Sequence, residues 1–200
     1  MNKIILASAS PRRKELMLDA GYEFEVRVPD VDETPIKKET PAKMVKRLSE
    51  LKAHTIAAQV MEASGLGEKS NQYRILAADT TVVSPTGKNL GKPESLAEAR
   101  KMIGFIQGKT HTVLTGYTIV RVINGKIKKA VSRVVMTRVT IKKMSKMQID
   151  AYLNRGESMD KAGAYAAQGF GRVLIEKIQG SYTNVVGLPM VEVEKDLGSV

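Results

Sequence analysis

Residues 3–13 read Lys3-Ile4-Ile5-Leu6-Ala7-Ser8-Ala9-Ser10-Pro11-Arg12-Arg13. Ile4, Ile5 and Leu6 form a short continuous apolar run, which predicts a buried strand over residues 3–7. Ser10 stands where a helix N-cap belongs, Pro11 suits the first helical position because no N–H is needed there, and Gly21 falls just past the predicted end. A strand that hands the chain directly to a helix is a building unit of an α/β fold. The same stretch superficially resembles a secretory signal, with Lys3 ahead of the apolar run and Ala7-Ser8-Ala9 as a cleavage site. A signal needs an apolar region of about 7 to 15 residues, and Arg12-Arg13 follow too soon. No signal is read there, and a cytoplasmic location is expected.

Working outward, the pattern alternates. Thr40-Pro41 repeats the helix-start signal, and Met44, Val45, Leu48, Leu51 and Ile56 lie at mostly helical spacing, predicting a helix to about Met61. A polar stretch over residues 64–72 predicts a loop. Residues 73–78 read as a buried strand ending on Asp79, with residues 80–83 still extended before Ser84-Pro85-Thr86-Gly87 turns the chain. Ser95-Leu96-Ala97-Glu98 is a capping-box sequence for a helix to about Gln107. Strands follow over residues 110–122 and 127–141, with Asn124-Gly125 as their hairpin turn. Ser145 to Gln148 caps a helix that should stop at Gly156, residues 172–178 return as a strand, and Pro189 starts a last helix. Strands and helices alternate without a strict βαβ period. The expected fold is therefore α/β: a mixed twisted sheet flanked by helices around a cleft, in one domain over residues 1–200 that has room for two lobes.

Composition narrows the chemistry. The chain has 200 residues, 42% hydrophobic and 26% charged, enough to bury a core. It has no cysteine, which removes disulfides, thiolate metal sites and thiol nucleophiles, and its only imidazoles are His54 and His111. Carboxylates, hydroxyls, lysines and arginines remain. No apolar stretch approaches the roughly 18 residues of a membrane-spanning helix, so no membrane association is expected. The formal net charge is +11, and nine cations with no acid lie between Arg121 and Lys146. Such a band suits a nucleic-acid footprint, but it equally suits the solvated lysine face of a hairpin. No aromatic side chain lies in it to stack a base, so the hairpin face is the favoured reading.

Several segments carry chemistry. The junction holding Ser8, Ser10, Arg12 and Arg13 combines helix N–H groups with hydroxyls and guanidiniums, a site for phosphate or polyphosphate; the plain alternative is a capped helix with solvated arginines. Asp79 is delivered by a hydrophobic strand, where a general base or metal ligand would sit, or a turn cap. Gly91-Lys92-Pro93 brings a cation back after a short hairpin. Residues 157–171, rich in Gly and Ala and including Asp160, Lys161 and Gln168, suit close backbone approach to a ligand or another segment. Asp160 and Lys161 alternatively form an exposed ion pair, and Gln168 has an amide able to read a base edge or to satisfy buried backbone. Asp32-Glu33 reads as a solvated pair unless phosphates bind nearby, when a carboxylate there could hold magnesium. Lys52, within a long helix, reads as surface on local sequence alone.

Taken together, residues 6–16 (Leu6-Ala7-Ser8-Ala9-Ser10-Pro11-Arg12-Arg13-Lys14-Glu15-Leu16), Lys52-Ala53, Ala78-Asp79-Thr80, Leu90-Gly91-Lys92-Pro93, Gly108-Lys109-Thr110-His111, Met159-Asp160-Lys161-Ala162-Gly163-Ala164-Tyr165, Gln168-Gly169, Gly180-Ser181-Tyr182 and Val185-Val186-Gly187-Leu188-Pro189 resemble the Maf family of nucleoside triphosphate pyrophosphatases. The resemblance spans nearly the whole chain. It implies an elongated α/β homodimer with a central cleft, of the Maf and inosine triphosphatase type, that hydrolyses a nucleoside triphosphate to the monophosphate and pyrophosphate with a divalent cation, Mg or Mn. By that resemblance Asp79 matches the general base, Ser8, Ser10, Arg12, Arg13, Lys52, Thr80, Lys92, Asp160, Lys161 and Gln168 match substrate-binding positions, and Glu33 joins Asp79 as an acidic position toward metal. These demands agree with phosphoryl transfer, which needs a positioned water, an oriented triphosphate and cations to absorb developing charge.

Within the family, the dTTP/UTP group resembles Arg, Thr and Gln at the positions of Arg12, Thr80 and Gln168, whereas the 7-methyl-GTP group resembles Trp, Gln and Glu. Tryptophan would stack a cationic purine, while a neutral amide matches a uracil or thymine edge. The expected activity is thus a dTTP/UTP pyrophosphatase. A 7-methyl-GTP or broader modified-nucleotide pyrophosphatase is the enzymatic alternative, and a nucleic-acid-binding or cell-division regulatory protein the non-enzymatic one. Ala167 departs from the larger aliphatic usual there, and the loop over residues 64–72 is longer than a minimal member needs.

Overall fold

In the computed structural model, residues 2–64 and 72–200 are described. The loop predicted over residues 64–72 lies almost wholly outside them. Strand β1 (Asn2–Leu6) leads into helix α1 (Pro11–Asp19), followed by β2 (Glu25–Val26), α2 (Pro41–Ser64), β3 (Gln72–Val83), β4 (Asn89–Leu90) and α3 (Leu96–Ile106). The chain continues through β5 (Thr110–Ile123), β6 (Lys126–Ile141), α4 (Lys146–Leu153), two 3-10 helices (Ala162–Ala164 and Gly169–Leu174), β7 (Ile175–Gln179), α5 (Tyr182–Val186) and α6 (Met190–Ser199). Seven strands join in the order β2-β1-β3-β5-β6-β7, with β4 paired to β3. β1 is parallel to both β2 and β3, and β4 and β7 run antiparallel to their partners. The sheet is mixed and carries helices, as the alternation of patterns predicts. No helix among the described residues is long and apolar enough to cross a membrane.

The chain divides into two compact units: Met1–Asp79, Thr115–Val135 and Gly187–Val200 in the first, Thr80–Leu114 and Met136–Val186 in the second. In the first, α2 lays Ala53, Ile56, Ala57 and Val60 against Ile5, Ala7, Tyr73, Ile75, Ala77, Val120 and Val122. The periods explain the match: alternate residues of β3 share one sheet face, while α2 repeats its apolar residues every three or four positions. At Gly116 the backbones meet, since an added Cβ would collide with the Val45 carbonyl oxygen and lie 2.8 Å from Lys46 N. Gly116→Ala is therefore expected to cost about 2–3 kcal/mol in urea unfolding, the usual penalty of overpacking. An unchanged midpoint would contradict this close approach.

The second unit has its own core, in which α3 and α4 bring Ala99, Ile103, Ile106, Ile149, Tyr152 and Leu153 onto Val82, Val113, Val139 and Ile141. His111 lies buried within this unit, its Nε2 2.7 Å from the Tyr165 hydroxyl. Burial lowers its pKa from 6.5 to about 4. The unfolded chain takes up a proton near pH 6.5 that the folded chain refuses until near pH 4, so stability is lost as the pH falls through that window. A shift of this size corresponds to about 3 kcal/mol. The Tm of the protein should drop more steeply between pH 6.5 and 4.5 than that of His111→Gln; equal slopes would exclude His111 as the source.

The local differences from the sequence reading have physical causes. Ser10 is the N-cap residue of α1, but its side chain makes no capping bond; the Ser8 hydroxyl accepts from Ser10 N instead. The far end follows the glycine signal, with Gly21 N donating to Leu18 O and Tyr22 N to Met17 O, a Schellman pair. Ser95 accepts from Glu98 N, yet Glu98 reaches Glu94 N rather than closing a box. Ser145 and Gln148 do form the reciprocal box, although α4 stops at Leu153 rather than Gly156. The predicted strand over residues 172–178 begins only at Ile175, because Gly169–Leu174 coils into a 3-10 helix whose Gly171 lies against the Ala166 backbone. Residues 80–83 are extended as expected, and β3 runs through Asp79 to Val83 as one strand.

Candidate active site

The first unit builds a site at the ends of its parallel strands. Leu6 of β1 pairs with Leu76 of β3, and beyond that register β1 turns into α1 while β3 continues to Asp79. Ligands of open α/β sheets bind at such carboxyl ends. In the strand-to-helix turn, buried Ser8 receives hydrogen bonds from Ser10 N at 3.2 Å and Arg13 Nη1 at 3.1 Å. Arg13 Nε donates to the Gly187 carbonyl at 2.8 Å. Burial lowers the Arg13 pKa from its ordinary value, the charge of Asp79 opposes this, Arg12 adds to the lowering, and Glu33 again opposes it. A guanidinium stays charged under such pressure. A half-buried cation at a helix N-terminus is the electrostatic counterpart of a phosphate.

Of the opposing charges, Asp79 lies on the face that β3 turns to α2, and Glu33 comes from the loop between β2 and α2. Tyr73, Ile75 and Ala77 face α2, and the strand alternation puts Asp79 next in that row. Lys52 lies one helical turn before Ile56 and so heads the matching row of α2. The two meet there: Lys52 Nζ donates to Asp79 Oδ1 at 2.8 Å. Glu33 Oε1 lies 3.0 Å from the same ammonium. Lys52 is 7% exposed, a burial that its two carboxylate partners explain. Lys52 is thus a member of the site rather than the surface residue that its helical position alone suggests.

The loop bearing Glu33 is held in place by Arg47, a residue the sequence reading did not single out. Its Nε and Nη2 each lie 2.8 Å from a Glu39 carboxylate oxygen, and Nη2 also donates to the Thr34 carbonyl. Asp32 turns back on Thr34 N and Oγ1, so it braces the loop rather than facing Lys52. Glu39 and Arg47 are separated by a helix start, which is why neither helical nor strand spacing pairs them. The Gly187 carbonyl was likewise beyond sequence reading.

The other predicted residues lie in the second unit. Thr80 follows Asp79 along β3 and is half-buried; Lys92 is exposed just after the β3–β4 hairpin, and that hairpin forms as expected. Gly163 N donates to Gly91 O at 3.0 Å, tying the loop of Lys92 to the segment carrying Asp160 and Lys161. Lys161 Nζ donates to the exposed Asp160 carboxylate at 2.6 Å. Gln168 precedes the second 3-10 helix without capping it. Ala167 lines a pocket of about 390 Å³ with Arg172, Ile175, Ile178 and Tyr182. In the basic band, Arg133 pairs with Asp196, Lys129 donates to Ser199 O and Arg121 to Gln72 Oε1, so these three cations serve intramolecular contacts.

Fold and site together define an α/β protein in which an arginine at a helix start shares its unit with a lysine bridging two carboxylates. The chain belongs to the Maf family: the family model for Maf-like protein matches residues 3–200. Relatives named dTTP/UTP pyrophosphatase include those of Moorella thermoacetica, 43% identical over 98% of this chain and 93% of its own, and Geobacter sulfurreducens, 44% identical over 98% and 95%. The Vibrio vulnificus relative of that name is 40% identical over 98% and 97%. A solved HAM1 protein from Coxiella burnetii aligns over 100% of both chains at 14% identity with a TM-score of 0.47, too distant to bear on function.

Proposed function

We propose that this chain hydrolyses nucleoside triphosphates, with dTTP and UTP preferred, to the nucleoside monophosphate and pyrophosphate. The observation that carries this reading is the Lys52 ammonium bridging Asp79 and Glu33 in the same unit as the Arg13 anion site. The printed names of the relatives support the choice of reaction and nucleotide. Arg12, Thr80 and Gln168 supply the dTTP/UTP pattern.

Asp79 orients a water and takes its proton as the water oxygen attacks the α-phosphorus. The bond from phosphorus to the bridging oxygen breaks, and pyrophosphate leaves with the electron pair. Arg13 and the N-terminus of α1 offset the phosphate charge, while Lys52 fixes Asp79 through Oδ1. Asp79 and Glu33 each engage Lys52 through one oxygen, and the carboxylate chemistry of their remaining oxygens suits a hard cation. Mg or Mn held there would supply Lewis-acid charge to the phosphate oxygens. No cluster of three or more metal-ligating side chains occurs among the described residues, so substrate and water oxygens would complete the shell.

The test is pyrophosphate release from a panel of canonical nucleoside triphosphates and 7-methyl-GTP, with Mg or Mn. Selective turnover of dTTP and UTP is expected. Preference for 7-methyl-GTP would overturn the base assignment, and no turnover of any nucleotide would overturn the reaction.

A further inference from the structure

Asp196 is a carboxylate in an uncongenial place. It sits in the second half of α6, where the partial negative charge of the helix end disfavours an acid, and it is only 3% exposed. Its partners account for it. Arg133 of β6 grips it in a fork, Nε to Oδ2 at 2.6 Å and Nη2 to Oδ1 at 3.0 Å, and the fully buried Tyr117 of β5 donates its hydroxyl to Oδ2 at 2.7 Å. Two strands thus hold one helix through a single carboxylate. Arg74 Nε adds a bond to the Val200 carbonyl at 2.8 Å, and Met190, Val193 and Leu197 bury the apolar side of α6.

What this anchorage fixes lies at the other end of the helix. Pro189 is the N-cap residue of α6, Leu188 before it is fully buried, and Gly187 before that has φ +130°, a conformation that side-chain-bearing residues rarely adopt. The Gly187 carbonyl, aimed by that backbone, accepts the Arg13 Nε proton. Besides Ser8 Oγ, Arg13 therefore uses a backbone acceptor whose position follows from where α6 is held.

We infer that Asp196 is a positioning residue for Arg13, acting through α6 and the Gly187 carbonyl. The inference rests on reading Arg13 as a phosphate-binding group. Asp196 acts at a distance from Arg13; an asparagine there keeps one acceptor oxygen, but its NH2 in the place of Oδ2 cannot accept from Arg133 Nε and Tyr117, so the fork opens, the entry of α6 shifts, and the Gly187 acceptor of Arg13 moves with it. A phosphate contact made equally in the ground and transition states raises KM, with kcat little changed, when it is weakened.

The experiment is a double-mutant cycle on dTTP hydrolysis by the full chain, with Asp196→Asn and Arg13→Lys, the latter keeping the charge while removing the Nε bond to Gly187. Asp196→Asn should raise KM about tenfold with kcat changed less than about threefold, and it should add nothing further in the Arg13→Lys background, the signature of residues acting as one unit. Independent, multiplying effects, or an unchanged KM in Asp196→Asn, would overturn the inference. If Asp196→Asn does not fold, Tyr117→Phe, which removes one hydrogen bond to the same carboxylate, takes its place in the cycle with the same outcomes. Absence of turnover in the unaltered protein would overturn the proposed function instead.

Discussion

Asp79→Asn is expected to lower kcat on dTTP by about a thousandfold, within the range that a positioned general base contributes. An amide has the shape of the carboxylate, and its oxygen can still accept the Lys52 proton that Asp79 Oδ1 accepts at 2.8 Å. The packing of β3 on α2 is untouched. What disappears is an atom able to take the proton of the attacking water. The variant should therefore keep its circular dichroism spectrum and unfold within a few degrees of the parent, with KM little altered. A near-normal kcat would mean that another group accepts the proton. An equal collapse of kcat and Tm would mean that Asp79 is chiefly structural.

Lys52→Met should be the second most damaging change, lowering kcat/KM by about a hundredfold and stability by about 3 kcal/mol. The methionine fills the stem of the lysine but brings no charge to Asp79 and Glu33, 2.8 and 3.0 Å from Nζ. Removing one partner from a buried ion pair leaves the other charge uncompensated, which costs more than the pair itself contributed. Asp79 is the member that suffers, with a side chain only 13% exposed, whereas Glu33 is 57% exposed and can rehydrate. Urea unfolding measures the stability loss and steady-state kinetics the catalytic one. Parent-like values in both would show that Lys52 neither orients nor neutralises the carboxylates.

Much of the frame was legible in the residues, because each long element carries its own periodicity and punctuation. The strand before Ser8, the Ser10-Pro11 helix start and the Asn124-Gly125 turn were readable locally, and that turn has both residues at positive φ. The two-residue strand β2, the five-residue α5 and the 3-10 helix at Gly169 were not predicted as elements. They are too short for a period to develop, and Gly169–Leu174 owes its shape to close backbone contact rather than local preference. Within the site, Ser8, Arg13 and Asp79 stand at a recognisable junction. Lys52 gave only a faint local signal: its place four residues before Ile56 puts it on the buried face, but a lysine there also suits a helix edge. Arg47 and the Gly187 carbonyl were invisible to pattern reading, since their partners are fixed by tertiary packing.

The most direct test of the proposed chemistry is to run dTTP hydrolysis in water enriched in oxygen-18 and weigh both products. Attack at the α-phosphorus, with the water activated by Asp79, predicts one heavy oxygen in the monophosphate and none in the pyrophosphate. Heavy oxygen in the pyrophosphate would place attack at the β-phosphorus, and release of diphosphate nucleoside with labelled inorganic phosphate would place it at the γ-phosphorus; either result would contradict the assigned reaction.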